Sequence, residues 1–180
     1  MNGVYPDWQI ALLCAALATP ALAALLLAHP TVARRSLALD LAAWSALPAC
    51  LVVIVVPDGY VDVYWLLLGT RFGLDSTGRV FLAFSGFLWL AAGIFARGYL
   101  RDDPRARRFF GFYVLSMLGN LGLVLAQDAV SFFVFFTLMS LAAYGLVIHE
   151  PTAQNLRAGR IYIVLAMAGE VLLFSALVLL

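Results

Sequence analysis

Lysine is absent from the 180-residue chain, so all eleven basic residues are arginine. Charge of either sign is scarce, at 12% of residues, against about 25% in an ordinary soluble domain. So few charges cannot cover a water-facing surface, which excludes a soluble globular protein and a disordered tail. The formal net charge is only +1, so nothing points to nucleic acid or another polyanion as a partner. Cysteine is equally rare. Cys14 and Cys50 both sit in apolar runs and read as small hydrophobes rather than as a disulfide or metal pair.

What the chain has instead is apolar length: 64% of its residues are hydrophobic. A helix needs about 20 mostly apolar residues to cross a bilayer. Six stretches qualify: Trp8 to Ala28, Leu37 to Val56, Val80 to Ala96 with an extension to Leu100, Phe109 to Ala126, Ala129 to Ile148, and Ile161 to Leu180. The expected fold is all-α, a polytopic membrane bundle of six helices within one domain, with the lipid bilayer as its first partner. The joints are short, as between antiparallel neighbours. The joint from Pro57 to Thr77 differs. It holds Asp58, Asp62 and Asp75 with Tyr60, Tyr64 and Trp65, which suits an interfacial aromatic belt or a small hairpin.

The N-terminal segment carries Asp7 and no basic residue, so it lacks the basic flank of a signal peptide and reads as a retained helix. Nine arginines fall in the joints after the first, third and fifth stretches: Arg34, Arg35, Arg97, Arg101, Arg105, Arg107, Arg108, Arg157 and Arg160. Only Arg71 and Arg79 fall on the other side. The positive-inside rule then puts the N-terminus outside, periplasmic or extracellular, in a cell inner (plasma) membrane. The last stretch ends at Leu180 without a polar flank, as expected of a piece of a longer protein or of a short subunit.

Ionisable groups deep in a bilayer cost about 2.5–3.5 kcal/mol on insertion scales and mark functional candidates. Glu170 lies ten residues past Arg160, about 15 Å deep and near the middle of a core about 30 Å thick. Two readings stay open: a neutral acid bonded to a neighbouring helix, or a proton-relay carboxyl. The fourth stretch carries Tyr113, Ser116 and Asn120 at i, i+3 and i+7, and the fifth carries Thr137, Ser140 and Tyr144 with the same spacing. Interhelical hydrogen bonding alone accounts for such stripes. Depth estimates from the helical rise place Asn120, Ser140 and Glu170 within one polar layer. His29 and His149 lie at helix ends and read as interfacial, and Asp40 lies one turn from Trp44 within reach of water. No residue pattern here resembles a metal site, a nucleophile–base pair or a cofactor loop. Gly73 to Gly78 lacks the lysine of a phosphate-binding loop. No cofactor, metal or catalytic residue is expected.

Several stretches carry a resemblance. They are Gly73-Leu74-Asp75, then Arg97-Gly98-Tyr99-Leu100, and after Pro104 the run Arg108-Phe109-Phe110. Leu125-Ala126-Gln127-Asp128, Phe132-Phe133 and Tyr144-Gly145-Leu146 follow, then Arg157 and Arg160 with Tyr162, and Gly169-Glu170. In order and spacing, residues 73–180 resemble the N-terminal part of the antiporter-like membrane subunits. That family occurs in respiratory NADH:quinone oxidoreductase (complex I), in Mrp-type cation/proton antiporters and in membrane-bound hydrogenases. The resemblance implies a non-redox subunit of about fourteen helices, of which this chain is the first six, working among other membrane subunits of a multisubunit complex. It implies proton or cation translocation through half of an inverted repeat. In the pumping members a glutamate on the fifth helix pairs with a lysine on the seventh. Here Thr137 stands at the glutamate position, and the seventh helix lies beyond Leu180. The expected path residues are Glu170, Asn120, Ser140, Thr137, Ser116, Tyr144 and Tyr113. The alternatives are a non-pumping structural paralogue that scaffolds such a complex and an unrelated small transporter.

Overall fold

The computed structural model describes residues 5–29, 35–64 and 69–179. Arg34, Trp65 and Leu180, named above, lie outside them. The elements run α1 (Asp7–Ala28), α2 (Arg35–Trp44), α3 (Leu47–Val55), β1 (Gly59–Val63), β2 (Thr70–Leu74), α4 (Ser76–Tyr99), α5 (Ala106–Leu125), α6 (Ala129–Val147) and α7 (Ala153–Val178). With α2 and α3 taken as one crossing, six helical segments among the described residues are long and apolar enough to span a membrane. The helices alternate in direction and form two ends. One carries the arginines around the α4–α5 joint and at the start of α7. The other carries the β1–β2 hairpin.

The second apolar stretch, expected as one helix, is broken. Pro48 has no N–H to offer the carbonyl of Trp44, and its ring opposes continuation of the helix, so α2 ends there and α3 restarts at Leu47. Carbonyls around such a break need donors in hydrocarbon, and the one next to Trp44 is met from α1. The Thr19 hydroxyl on α1 reaches the Ser45 carbonyl at 2.9 Å and its own Ala15 carbonyl at 2.8 Å. The Ser45 hydroxyl bonds the Ala42 carbonyl at 2.7 Å. Small residues line this region. Ala16, Ala42, Ala46 and Ala49 are all fully buried, which lets α1, α2 and α3 lie close together.

The core sits among α1, α3 and α5, where Phe110, Val114, Met117 and Leu121 are buried. On α4, Gly93 faces α2: a Cβ there would stand 2.6 Å from the Ala43 carbonyl. On α5, Gly119 meets the backbone of Met139 on α6, so these two helices touch almost backbone to backbone. By contrast, α7 packs chiefly on α6 and presents most of its apolar surface outward. It begins eight residues before the expected Ile161, because its first two turns are polar and extend past the apolar stretch. Thr152 caps it by accepting from the Asn155 N–H at 3.1 Å.

The hairpin is the departure from an all-α fold. Its register pairs Gly59 with Leu74 and Asp62 with Arg71. Gly69, at φ 102°, takes the left-handed conformation that the turn requires. Arg71 binds Asp62 across the ladder at 2.7 Å and lies over the Tyr60 ring, 4.3 Å from its centroid. The outer edge of β2 is also used. The Gln127 N–H donates to the Arg71 carbonyl at 2.8 Å, and the Arg71 N–H donates to Asp128 at 3.0 Å. The Leu74 N–H donates to the Tyr5 hydroxyl ahead of α1 at 3.3 Å. One hairpin therefore ties the start of α1 to the α5–α6 turn.

Several residues that carry the family resemblance do structural work. Asp75 caps α4 by accepting from the Gly78 N–H at 2.6 Å, and Asp128 caps α6 by accepting from the Ser131 N–H at 2.8 Å. Burial pushes the Asp128 carboxyl up, but the N–H groups of Ser131 and Arg71 outweigh this and hold it below the usual carboxylate range.

Candidate functional site

The residues expected to line a path fall into two clusters on opposite faces of α6. The first lies between α4, α5 and α6. The Tyr113 hydroxyl donates to the Trp89 carbonyl. The Trp89 indole N–H donates to Asn120 Oδ1 at 2.9 Å, and Asn120 Nδ2 lies 3.6 Å from the Met139 sulfur. The Ser116 hydroxyl points at the Met139 carbonyl from 3.5 Å, at the limit of a hydrogen bond. Tyr113, Ser116 and Asn120 thus share one face of α5, as their spacing predicts, and the α4 and α6 groups they meet are Trp89 and Met139.

The second cluster lies along the α6–α7 seam. The Tyr162 hydroxyl donates to the Ser140 carbonyl at 3.0 Å. The Phe133 and Phe174 rings meet at 5.4 Å, and Tyr144 lies against Gly159. These contacts bracket Thr137 and Glu170. Each stands one turn from its member of the Phe133–Phe174 pair, so on antiparallel helices the two occupy the same level. The Thr137 hydroxyl oxygen and one Glu170 carboxyl oxygen are both buried, and neither has a hydrogen-bond partner among the described residues.

Among the described residues, no hydrogen bond joins Asn120, Ser140 and Glu170 to one another. Asn120 meets α6 at Met139, whereas Glu170 lies at the level of Thr137. Two residues apart on a helix are about 200° apart, so α6 stands between the groups.

The structure adds a pair that the sequence did not link. His149, after α6, and Asp103, in the α4–α5 joint, meet at 3.0 Å from Nε2 to Oδ2. Phe109 packs edge-on against the imidazole at 5.2 Å, and the second ring nitrogen is buried without a partner among the described residues. The Arg105 N–H and the His149 ring hold the Asp103 carboxyl below the usual range. His149 lines a cleft of about 440 Å³ at the Arg-rich end that has Tyr113 in its wall. A second cleft of about 530 Å³, lined by Trp89 and Asn120, shares Ala92 with the first. Open space thus accompanies the first cluster from the Arg-rich end into the membrane. Asp40, expected near water, is bound by Arg97 at 2.6 Å. Among the described residues, no three His, Cys, Asp or Glu side chains gather as a metal site.

Helices of this length and polarity define a multi-pass membrane protein. No protein-family profile matches the chain. Individual proteins do. The antiporter subunit mnhD2 of Staphylococcus epidermidis is 33% identical over 107 residues, 58% of this chain and 21% of that protein. Its counterpart in Staphylococcus saprophyticus is 32% identical over 107 residues, with the same two shares. Hydrogenase-4 component B of Escherichia coli is 27% identical over 108 residues, 59% of this chain and 16% of that protein. These relatives support the antiporter-like subunit family for this chain. The matched segment spans about a fifth of the length of these relatives.

Proposed function

We propose that the chain forms the first six crossings of a membrane subunit that takes part in proton or cation translocation, within an antiporter or hydrogenase type of complex. The observation that carries this reading is the α6–α7 seam. Glu170 there is an ionisable group deep in an apolar helix, with a buried oxygen that no described residue satisfies. Such a group is costly unless it serves ion movement or meets a partner group. The Glu170 carboxyl, at the level of Thr137, is a group through which one proton can pass within the membrane. The Tyr113–Trp89–Asn120 cluster and its clefts bring polar groups and space toward that depth from the Arg-rich end. We place the Arg-rich end in the cytoplasm, the N-terminus outside and the protein in the plasma membrane, on the nine-to-two arginine bias. Other membrane subunits are its partners.

The test is Glu170→Gln in the intact complex, assayed in sealed vesicles for ion-coupled pH-gradient formation. The expected result is loss of the gradient with the complex still assembled. An unchanged gradient removes Glu170 from the path. A scaffolding role is the second reading. It is favoured by Thr137, whose hydroxyl cannot carry the charge of the glutamate that the family resemblance implies there, and it predicts an unchanged gradient.

A further inference from the structure

A groove of about 540 Å³ runs between α1 and α5 at the Arg-rich end. Ala24 and Ala28 form one wall, Gly111 and Leu115 form the other, and Arg105 and Arg108 stand at the rim. We propose that this groove binds one anionic phospholipid, its acyl chain along the apolar walls and its phosphate between the two arginines.

Three observations carry this assignment. The first is charge. Among the described residues no acidic side chain lines the groove, and a planar guanidinium matches a phosphate with two parallel hydrogen bonds. Asp103, the nearby carboxylate of the same joint, is turned to the His149 side. Arg107 is already committed to α1, donating to the Leu27 and His29 carbonyls at 2.6 Å each, which leaves for the ligand Arg105 and Arg108, the latter 5.9 Å over the Phe112 ring.

The second is length. From Arg105 to Leu115 is ten residues, about 15 Å of helix. That is half of a hydrocarbon core about 30 Å thick, the depth of one leaflet. An acyl chain fits this depth, whereas a further crossing helix requires a groove through the whole core.

The third is the stripe itself. Arg108, Gly111 and Leu115 fall at i, i+3 and i+7, so the charged rim stands directly above the apolar wall. Gly111 keeps that wall open: a Cβ there would meet nothing within 4 Å. Larger side chains therefore enter the groove without disturbing the helix packing.

The experiment uses the full-length subunit in its intact complex, purified in mild detergent and exposed to dioleoyl phosphatidylglycerol or dioleoyl phosphatidylcholine. Bound lipid is counted by native mass spectrometry. The unsubstituted protein is expected to retain one phosphatidylglycerol with roughly tenfold preference or more, since each arginine near the surface adds appreciably to anionic binding. Arg105→Gln with Arg108→Gln is expected to bring that preference to near one. Gly111→Leu is expected to reduce retention of both lipids at an unchanged melting temperature, showing an intact fold. Equal retention of the two lipids by the unsubstituted protein overturns the proposal. So does a preference that survives either the paired arginine change or Gly111→Leu, and so does a protein helix seated in the groove in a structure of the whole complex.

Discussion

Trp89 and Asn120 join α4 to α5 in the middle of the bundle, the indole N–H donating to the amide oxygen at 2.9 Å. A polar bond between membrane helices contributes modestly, about 0.6 kcal/mol on average and up to about 1.7. Here loss of Asn120 leaves the indole N–H without its acceptor, and loss of Trp89 leaves the Asn120 oxygen without its donor.

Replacing Asn120 by Leu is therefore expected to destabilise the protein by about 1 kcal/mol. Trp89→Phe should cost a similar amount. The double variant should cost less than the sum of the two, because they share one bond. Reversible unfolding in mixed detergent micelles measures all three, and strict additivity would show that the bond contributes nothing.

Asp128 predicts a pH dependence. Its carboxyl is held below the usual range in the folded protein. The stabilisation is thus fully present above the unfolded value of about 3.9 and is lost as pH falls through the lower folded value. Asp128→Ala removes a helix cap and a tie to β2, at a cost of about 0.5–2 kcal/mol at neutral pH. The melting temperature of the variant should fall less steeply on acidification than that of the unsubstituted protein. Parallel curves would assign the acid sensitivity elsewhere.

Glycines give a matched contrast. A Cβ on Gly119 would lie 2.5 Å from the backbone nitrogen of Met139, which cannot yield as a side chain does. Gly119→Val should therefore cost about 1–3 kcal/mol by forcing α5 and α6 apart. Gly98, inside α4, has open space at the same position. Gly98→Ala should be neutral or stabilising by up to about 1 kcal/mol, through helix propensity. Chemical denaturation of both variants in detergent checks the order.

The crossings were legible because hydrophobic length is a one-dimensional signal, and the aspartates and tyrosines between Pro57 and Thr77 marked the hairpin. The break at Pro48 was not read, although a proline within an apolar run is its signal. Periodicity correctly grouped Tyr113, Ser116 and Asn120, yet depth alone could not say which neighbour each residue meets. Asn120 and Glu170 have similar depths and lie across α6 from one another. The azimuth of a residue about the bundle axis depends on how helices pack, which distance along one chain does not encode. The His149–Asp103 contact joins two loops 46 residues apart and carries no local pattern at all.

The bond from Thr19 to the Ser45 carbonyl has a consequence for biogenesis. A solitary second crossing would enter the bilayer with the break before Pro48 bare to lipid, and would be retained poorly by hydrocarbon. With the first crossing alongside, Thr19 supplies a donor to the Ser45 carbonyl at that break. Thr19→Val is therefore expected to lower membrane insertion of residues 35–55 during synthesis, a dependence that the finished fold would not reveal.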